Sequence, residues 1–165
     1  MIDSSSVPPT SSAIDQMDTE SNLLMGLVGG VVAMLVGAIA WGAVTYFTQY
    51  QIGYLAVGVG FLIGIAVKFF GRGKTAIFGI SSAILALIGT MLGNLIFYSG
   101  IIAKEESMPF LTVFFYFLTA PADLIGLFAA AFDFMDVLFY GLAAYVGFAT
   151  ALDIRRKVKY APQVR

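Results

Sequence analysis

The stretch AIFGISSAILALIGTMLGNLIFYSGIIA, residues 76–103, decides the fold, because it contains no charged side chain. A helix crosses the hydrocarbon core of a bilayer, ~30 Å thick, with about 20 predominantly apolar residues. A water-soluble domain rarely leaves a segment of this length without a charge. The stretch therefore predicts a membrane-spanning helix, and the sequence on either side of it repeats the pattern.

The composition indicates the same class of protein. Of the 165 residues, 59% are hydrophobic and 12% are charged, whereas a soluble domain is about 45–50% apolar and about 25% charged. A net charge of −1 provides no basic surface for nucleic acid. The absence of Cys and His excludes disulfides, thiolate nucleophiles, Cys/His zinc sites and imidazole acid–base chemistry. We assign no catalytic, cofactor-binding or metal-binding residue and expect a protein that is not an enzyme.

Four apolar runs reach spanning length, at residues 23–47, 52–70, 76–100 and 135–152. Residues 110–132 are also apolar, but Pro121-Ala122-Asp123 interrupts them. They form either an additional span or a broken, interfacial or re-entrant pair of short helices. A span would place Asp123 near mid-membrane at about 2.5–3.5 kcal/mol, with Pro121 breaking a backbone hydrogen bond nearby. We expect an all-α polytopic membrane protein with four transmembrane helices and the broken helical pair before the last span.

The positions of the basic residues favour the same topology. With four spans, every basic residue of the nine except Lys104 lies on one side of the membrane, which the positive-inside rule makes the cytoplasmic side. With five spans, the two basic clusters would face opposite sides. The acidic segment 1–22, expected to be disordered, and the basic segment 153–165 are then both cytoplasmic tails. The residues assigned to lipid headgroups are Lys68, Arg72, Lys74, Arg155, Arg156, Lys157 and Lys159.

The stretch KFFGRGKT, residues 68–75, ends like a phosphate-binding loop. That loop needs a glycine five positions before Gly73, and Lys68 stands there instead. We therefore expect no nucleotide site and interpret the stretch as a basic loop. Gly71 and Gly73 are expected to allow a tight turn between the second and third spans.

Small residues recur at spacings of three and four in all four spans. This spacing places them on one helix face, where they let backbones approach closely within lipid. We predict that these faces hold the helices together, and that any surplus packs against another membrane protein. The predicted helix-packing residues are Gly26, Gly30, Gly37, Ala56, Gly60, Gly64, Ala86, Gly89, Gly93, Ala143, Gly147 and Ala151.

A few polar residues interrupt the apolar spans. Asp133 and Asp136 lie three apart on one face at the start of the last span, and Asn94 lies in the third. The three could form a polar path for a cation or proton. Alternatively, the aspartates favour a helix start and Asn94 bonds to a neighbouring helix. The amphipathic rings near the expected outer interface are those of Trp41, Tyr46, Tyr50, Tyr54 and Tyr98.

Residues 50–94 resemble a family of small, uncharacterised, glycine-rich bacterial membrane proteins with several spans. The resemblance rests on Ile52-Gly53-Tyr54, Gly58-Val59-Gly60, Gly64 and Gly89-Thr90-Met91-Leu92-Gly93-Asn94. It covers the second and third spans, and it implies a location in the bacterial inner membrane without an activity.

The function that these features predict is that of a non-catalytic membrane scaffold or accessory subunit. Its partners would be other integral membrane proteins or further copies of the chain, together with anionic lipid, and neither nucleic acid nor nucleotide. The alternative is a small oligomeric channel or transporter for ions or small solutes that uses the three polar residues.

Overall fold

A computed structural model describes residues 21–50, 53–73 and 75–152. Within these ranges the chain is helical and contains no β-strand, which confirms the predicted fold class. The helices in chain order are α1 (Leu23–Thr48), α2 (Gly53–Gly71), α3 (Ala76–Glu105), α4 (Phe110–Thr119), α5 (Pro121–Ala131) and α6 (Phe134–Ala151). The segments 1–20 and 153–165 lie outside the described residues, as do Lys74, Arg155, Arg156, Lys157 and Lys159.

Four of the helices, α1, α2, α3 and α6, are long and apolar enough to cross a membrane. Helices α4 and α5 are shorter and meet at an angle of 105°; we call them the bent pair. The sequence predicted both the four long helices and the broken pair. Helix α3 continues beyond the predicted boundary at residue 100, because Lys104 and Glu105 are good helix formers. The chain leaves the helix at Ser107, where φ is 54°.

The directions of the helices follow from the contacts between them. The Asn22 N–H donates to the Gly71 carbonyl at 2.9 Å, so α1 begins where α2 ends. We call this the basic end of the bundle, since Lys68 and Arg72 also lie there. Helix α6 ends there too, because a Cβ added at Gly79, near the start of α3, would lie 2.9 Å from Leu152.

The bent pair therefore leaves and returns at the same end of the bundle. Helices α3 and α6 run in opposite directions, with Gly79 beside Leu152 and Asn94 beside Asp136. The last turn of α3 and the first turn of α6 both lie at the end opposite the basic end. A bent pair that crossed the membrane would instead separate these turns by the whole bilayer. The geometry thus favours four spans over five.

The helices pack around the pair α2 and α3, which contact each other, while α1 and α6 each contact both of them. Every residue of the predicted helix-packing set is buried. Their small size matters, because a Cβ at Gly60 would lie only 2.3 Å from the Ala143 carbonyl oxygen of α6. Two glycines of the long helices, Gly58 and Gly141, instead face open space.

The glycines between α2 and α3 have a different role from the one predicted. The left-handed residue is Arg72, with φ of 49°, whereas no described glycine has a positive φ. A Cβ would lie 2.4 Å from the Phe78 ring at Gly71 and 1.8 Å from it at Gly73. These glycines therefore make room for Phe78, and the expectation that they supply the backbone freedom of the turn was wrong.

The two helices of the bent pair differ in how they pack. Helix α4 packs on the end of α3 through a second apolar cluster, in which Val113 and Phe117 contact Leu95 and Ala103. Helix α5 has no buried residue, although Leu124, Leu127 and Phe128 pack partly against that cluster. Helix α5 is therefore the least buried of the six described helices.

Candidate functional site: a buried polar cluster beside an apolar groove

Four polar side chains from three helices meet near the end opposite the basic end. The Trp41 Nε1–H donates to Asn94 Oδ1 at 2.7 Å. The Asn94 Nδ2 group donates to Asp136 Oδ1 at 3.1 Å and to the Tyr140 hydroxyl oxygen at 2.8 Å. We call Trp41, Asn94, Asp136 and Tyr140 the polar cluster. It joins α1, α3 and α6 across the bundle.

The polar cluster is screened from solvent. Trp41, Asn94 and Asp136 are 0%, 1% and 2% exposed, and Tyr140 is partly buried. The Trp41 ring also packs edge-on against Phe139, with ring centroids 6.1 Å apart. Polar groups taken out of water need hydrogen-bond partners, and the cluster supplies one to each of its members.

Asp133 takes part only indirectly, in contrast to the predicted polar path. Its side chain is exposed and accepts from the Phe134 N–H at 2.6 Å, which caps the start of α6. Its own N–H donates to Asp136 Oδ2 at 3.0 Å. One oxygen of Asp136 therefore holds the helix start and the other holds Asn94. The structure brings Asn94 and Asp136 together and leaves the Asp133 carboxylate outside.

Trp41 lies in the core and not at the lipid interface where the sequence pattern placed it. It follows Gly37 by one helical turn and continues the small-residue face of α1. Opposite it, a Cβ at Gly93 would lie 2.6 Å from the indole ring. The small residue that predicts close helix contact thus also makes room for the largest buried side chain.

Sequence reasoning missed Trp41 and Tyr140 as members of the site. Both positions carried a signal. Tyr140 follows Asp136 by four residues and so shares its helix face, and Trp41 follows Gly37 by four residues on the small-residue face of α1. These signals were not used, because the rule that places Trp and Tyr at membrane interfaces gave a different interpretation of such residues. Within a span, an aromatic residue with a polar atom on a small-residue face is better interpreted as a hydrogen-bond partner.

The contacts of these polar side chains favour a role in holding the helices together over a role in moving ions or protons. Asn94 uses its carbonyl once and its amide group twice, so its hydrogen-bonding capacity is largely filled. Toward the basic end, the Thr90 hydroxyl bonds to carbonyls of its own helix, and Ser82, ~18 Å from Asn94 along α3, has no hydrogen-bond partner. In the described ranges, no group of three acidic, Cys or His side chains could hold a metal.

An apolar groove of about 530 Å³ lies next to the polar cluster. Tyr140 belongs to both, because it lines the groove and accepts from Asn94. We call this space the Tyr140 groove. Its lining comes from α3, α5, α6 and one residue of the link between α5 and α6: Met91, Leu124, Ile125, Phe128, Ala129, Phe132 and Tyr140.

The chain matches no protein-family model, no curated protein and no solved structure. The predicted resemblance to a bacterial membrane-protein family therefore stays a prediction.

Proposed function

We propose that the protein is a non-catalytic integral membrane scaffold or accessory subunit of a complex in the bacterial inner membrane. Its basic end would face the cytoplasm, since Lys68 and Arg72 suit the positive-inside rule and an anionic leaflet. Both chain termini would then also be cytoplasmic.

The observation that carries this proposal is the unused face of α5. Ala122, Gly126 and Ala130 recur every fourth residue and are all exposed. A Cβ at Gly126 would have no neighbour within 4 Å, whereas small faces with this spacing are filled by another helix elsewhere in the bundle. A helix of a partner protein, or of a second copy, fits such a face through close backbone contact.

A bulky residue at Gly126 tests the proposal. Gly126→Leu should leave the fold intact, because the position is open, and should release the partner or dissociate the oligomer. The matched control is Gly58→Leu, which enlarges an open, exposed glycine on α2 and should leave the assembly unchanged. Each variant is purified in mild detergent, and the mass of its assembly is then measured. A wild-type chain that is purely monomeric and free of other subunits, or an assembly that Gly126→Leu leaves intact, would refute the proposal.

The second candidate is a small oligomeric channel or transporter, and the burial of the Asp136 carboxylate favours it. A buried carboxylate in a span is expensive and often serves ion or proton movement. Asp136→Asn would then abolish ion or proton flux in reconstituted vesicles. Wild-type vesicles that conduct no protons, cations or small solutes would remove this candidate.

A further inference from the structure

A second apolar groove, of about 400 Å³, lies where the last turns of α1 and α3 meet the start of α4. Ligand sites are concave, about 300–1,000 Å³ in volume, and mostly apolar with few polar groups. Met108 and Phe110 border this groove at the α4 end. We call it the Lys104 groove, and its lining includes Ala43, Tyr46, Phe47, Ile96, Gly100 and Lys104.

Small residues and exposed apolar side chains shape the Lys104 groove. A Cβ added at Gly100 would lie 2.9 Å from the Tyr46 ring, so this ring lies against α3 at a position without a side chain. At the edge of the groove, Phe47 is 81% exposed and Met108 is 52% exposed. The groove is therefore open at the surface of the bundle, where a spanning helix meets lipid.

The sequence places the Lys104 groove across the border between hydrocarbon and headgroups. Lys104, Glu105 and Glu106 are consecutive charged residues that directly follow the uncharged stretch 76–103. Charged side chains are costly within the hydrocarbon, so Lys104 marks the headgroup level of an inserted α3. Ile96 lies eight residues earlier, ~12 Å deeper along the helix axis. The groove therefore runs from the headgroup level into the region of the acyl chains.

Lys104 gives the groove its charge. Glu105 and Glu106 are exposed and do not line it. Among the described residues, the Lys104 ammonium has no hydrogen-bond or ion-pair partner, and the other basic side chains, Lys68 and Arg72, lie at the basic end. A lysine carries its charge on a flexible four-carbon stem, so the ammonium can reach an anion at the mouth of the groove.

We propose that the Lys104 groove binds one anionic phospholipid, with the phosphate beside the Lys104 ammonium and an acyl chain between α1 and α3. The charge of the ammonium is complementary to the headgroup, and the apolar lining is complementary to the chain. A zwitterionic lipid carries the same phosphate together with a cation, which the ammonium repels. The inference concerns the end opposite the basic end and does not depend on the partner proposed for α5.

Trp41 can report the occupancy of the groove, because it is the single tryptophan and directly precedes the lining residue Gly42. Phosphatidylglycerol with brominated acyl chains is titrated into purified protein in detergent while Trp41 fluorescence is recorded. Bromine quenches an indole only at short range, so lipid at the basic end, ~27 Å away along α1, is not detected. We expect saturable quenching, and weaker binding of brominated phosphatidylcholine.

Lys104→Gln tests the contact with the headgroup. A lysine near an anionic lipid surface contributes a factor of about five in affinity, so the dissociation constant for phosphatidylglycerol should rise about fivefold. The constant for phosphatidylcholine should not change, and Lys104→Arg should behave like the wild-type protein. Arg72→Gln is the matched control, since it removes an exposed positive charge at the basic end and should change neither constant.

Two alanine variants test where the acyl chain lies. Ala43→Phe places a ring in the Lys104 groove and should abolish the saturable quenching by both lipids. Ala129→Phe fills the Tyr140 groove instead and should leave the quenching unchanged. Far-ultraviolet circular dichroism checks that both variants keep their helices.

Three results would overturn the proposal. Without saturable quenching in the wild-type protein, the groove would be empty or covered by protein. Equal dissociation constants for the two lipids, or a constant for phosphatidylglycerol that Lys104→Gln leaves unchanged, would show that no anionic headgroup lies beside Lys104. Saturable quenching that persists in Ala43→Phe would place the lipid outside the groove.

Discussion

At the scale of single residues, the hydrogen bonds of Asn94 hold three helices together. It bonds to Trp41 on α1 and to Asp136 and Tyr140 on α6, so one amide joins three spanning helices. Helix association in lipid lacks the hydrophobic driving force and depends on packing and hydrogen bonds. An amide with these contacts fixes the relative rotation of the helices more specifically than apolar contacts would.

Replacing Asn94 with leucine should therefore destabilise the bundle. Asn94→Leu keeps roughly the same volume but leaves the Trp41 N–H and the Oδ1 atom of Asp136 without their partner. Orphaned buried polar groups cost about 1–3 kcal/mol each, so we expect a loss of about 3 kcal/mol. The measurement is the free energy of unfolding in detergent, followed through Trp41 fluorescence.

Thr90→Val is the matched control for this substitution. Thr90 is equally buried on α3 but bonds only within its own helix, so its loss should cost less than about 1 kcal/mol. Equal losses of unfolding free energy in Asn94→Leu and Thr90→Val would show that the hydrogen bonds of Asn94 do not hold the helices together.

Tyr116 and Asp123 form a second residue-scale contact, across the bend between α4 and α5. The Tyr116 hydroxyl donates to the Asp123 carboxylate, and this bond and the negative charge raise the pKa of Tyr116 above its ordinary value of 10.0. The bond contributes fully below the ordinary pKa and is lost as the pH rises through the raised pKa. Alkaline pH should therefore loosen the bend.

A difference titration of tyrosinate absorbance between the wild-type protein and Tyr116→Phe isolates this hydroxyl. Asp123→Asn removes the charge and should return the pKa of Tyr116 towards its ordinary value. Glu105→Gln neutralises an exposed carboxylate elsewhere and should leave it unchanged. A pKa of Tyr116 that does not respond to Asp123→Asn would disprove the contact.

At the scale of helices, the small-residue pattern carries most of the packing. Gly60 and Gly64 approach the backbone of α6, with the Ala143 carbonyl 2.3 Å and the Gly147 carbonyl 2.8 Å from where a Cβ would stand. Backbones this close leave no room for one methyl group. The spacing in the sequence was sufficient to indicate these faces, because small side chains in lipid have few other uses.

Two alanine substitutions on the same helix test this close contact. Gly60→Ala forces a methyl group against the backbone of α6 and should cost about 1–3 kcal/mol. Gly58→Ala faces open space and should be neutral or stabilise the helix by up to about 1 kcal/mol. Unfolding free energies of the two variants supply the comparison, and a tolerated Gly60→Ala would mean that the backbones of α2 and α6 leave room for a methyl group at this position.

At the same scale, the sequence failed where one residue had two possible roles. Gly73 suited a turn, yet it makes room for Phe78, which lies five residues later in α3. Trp41 suited an interface, yet its indole donates to Asn94, which is 53 positions distant in the chain. Periodicity reports which face a residue occupies, but it does not report which side chain arrives opposite. The polar cluster therefore needed the assembled bundle to be recognised.

At the scale of the whole molecule, four helices are long and apolar enough to cross a membrane, and the bent pair begins and ends at one end of the bundle. Hydropathy and the interruption at Pro121 predicted this from the sequence. The structure adds the relative directions of the helices. Because Asn94 lies beside Asp136 and Gly79 lies beside Leu152, α3 and α6 are antiparallel. Ser107 and Phe134 therefore lie at the same end of the bundle, and we expect them on the same side of the membrane.

Single-cysteine labelling with a membrane-impermeant thiol reagent tests this most directly, since the chain has no native cysteine. The three sites are Ser107, Phe134 and Thr75, all exposed. Thr75 suits the purpose better than Gly73, which Phe78 crowds. We expect Ser107→Cys and Phe134→Cys to label from the same side of the membrane, and Thr75→Cys to label only from the other. Labelling of Ser107→Cys and Phe134→Cys from opposite sides would mean that the bent pair crosses the bilayer, and would contradict the account.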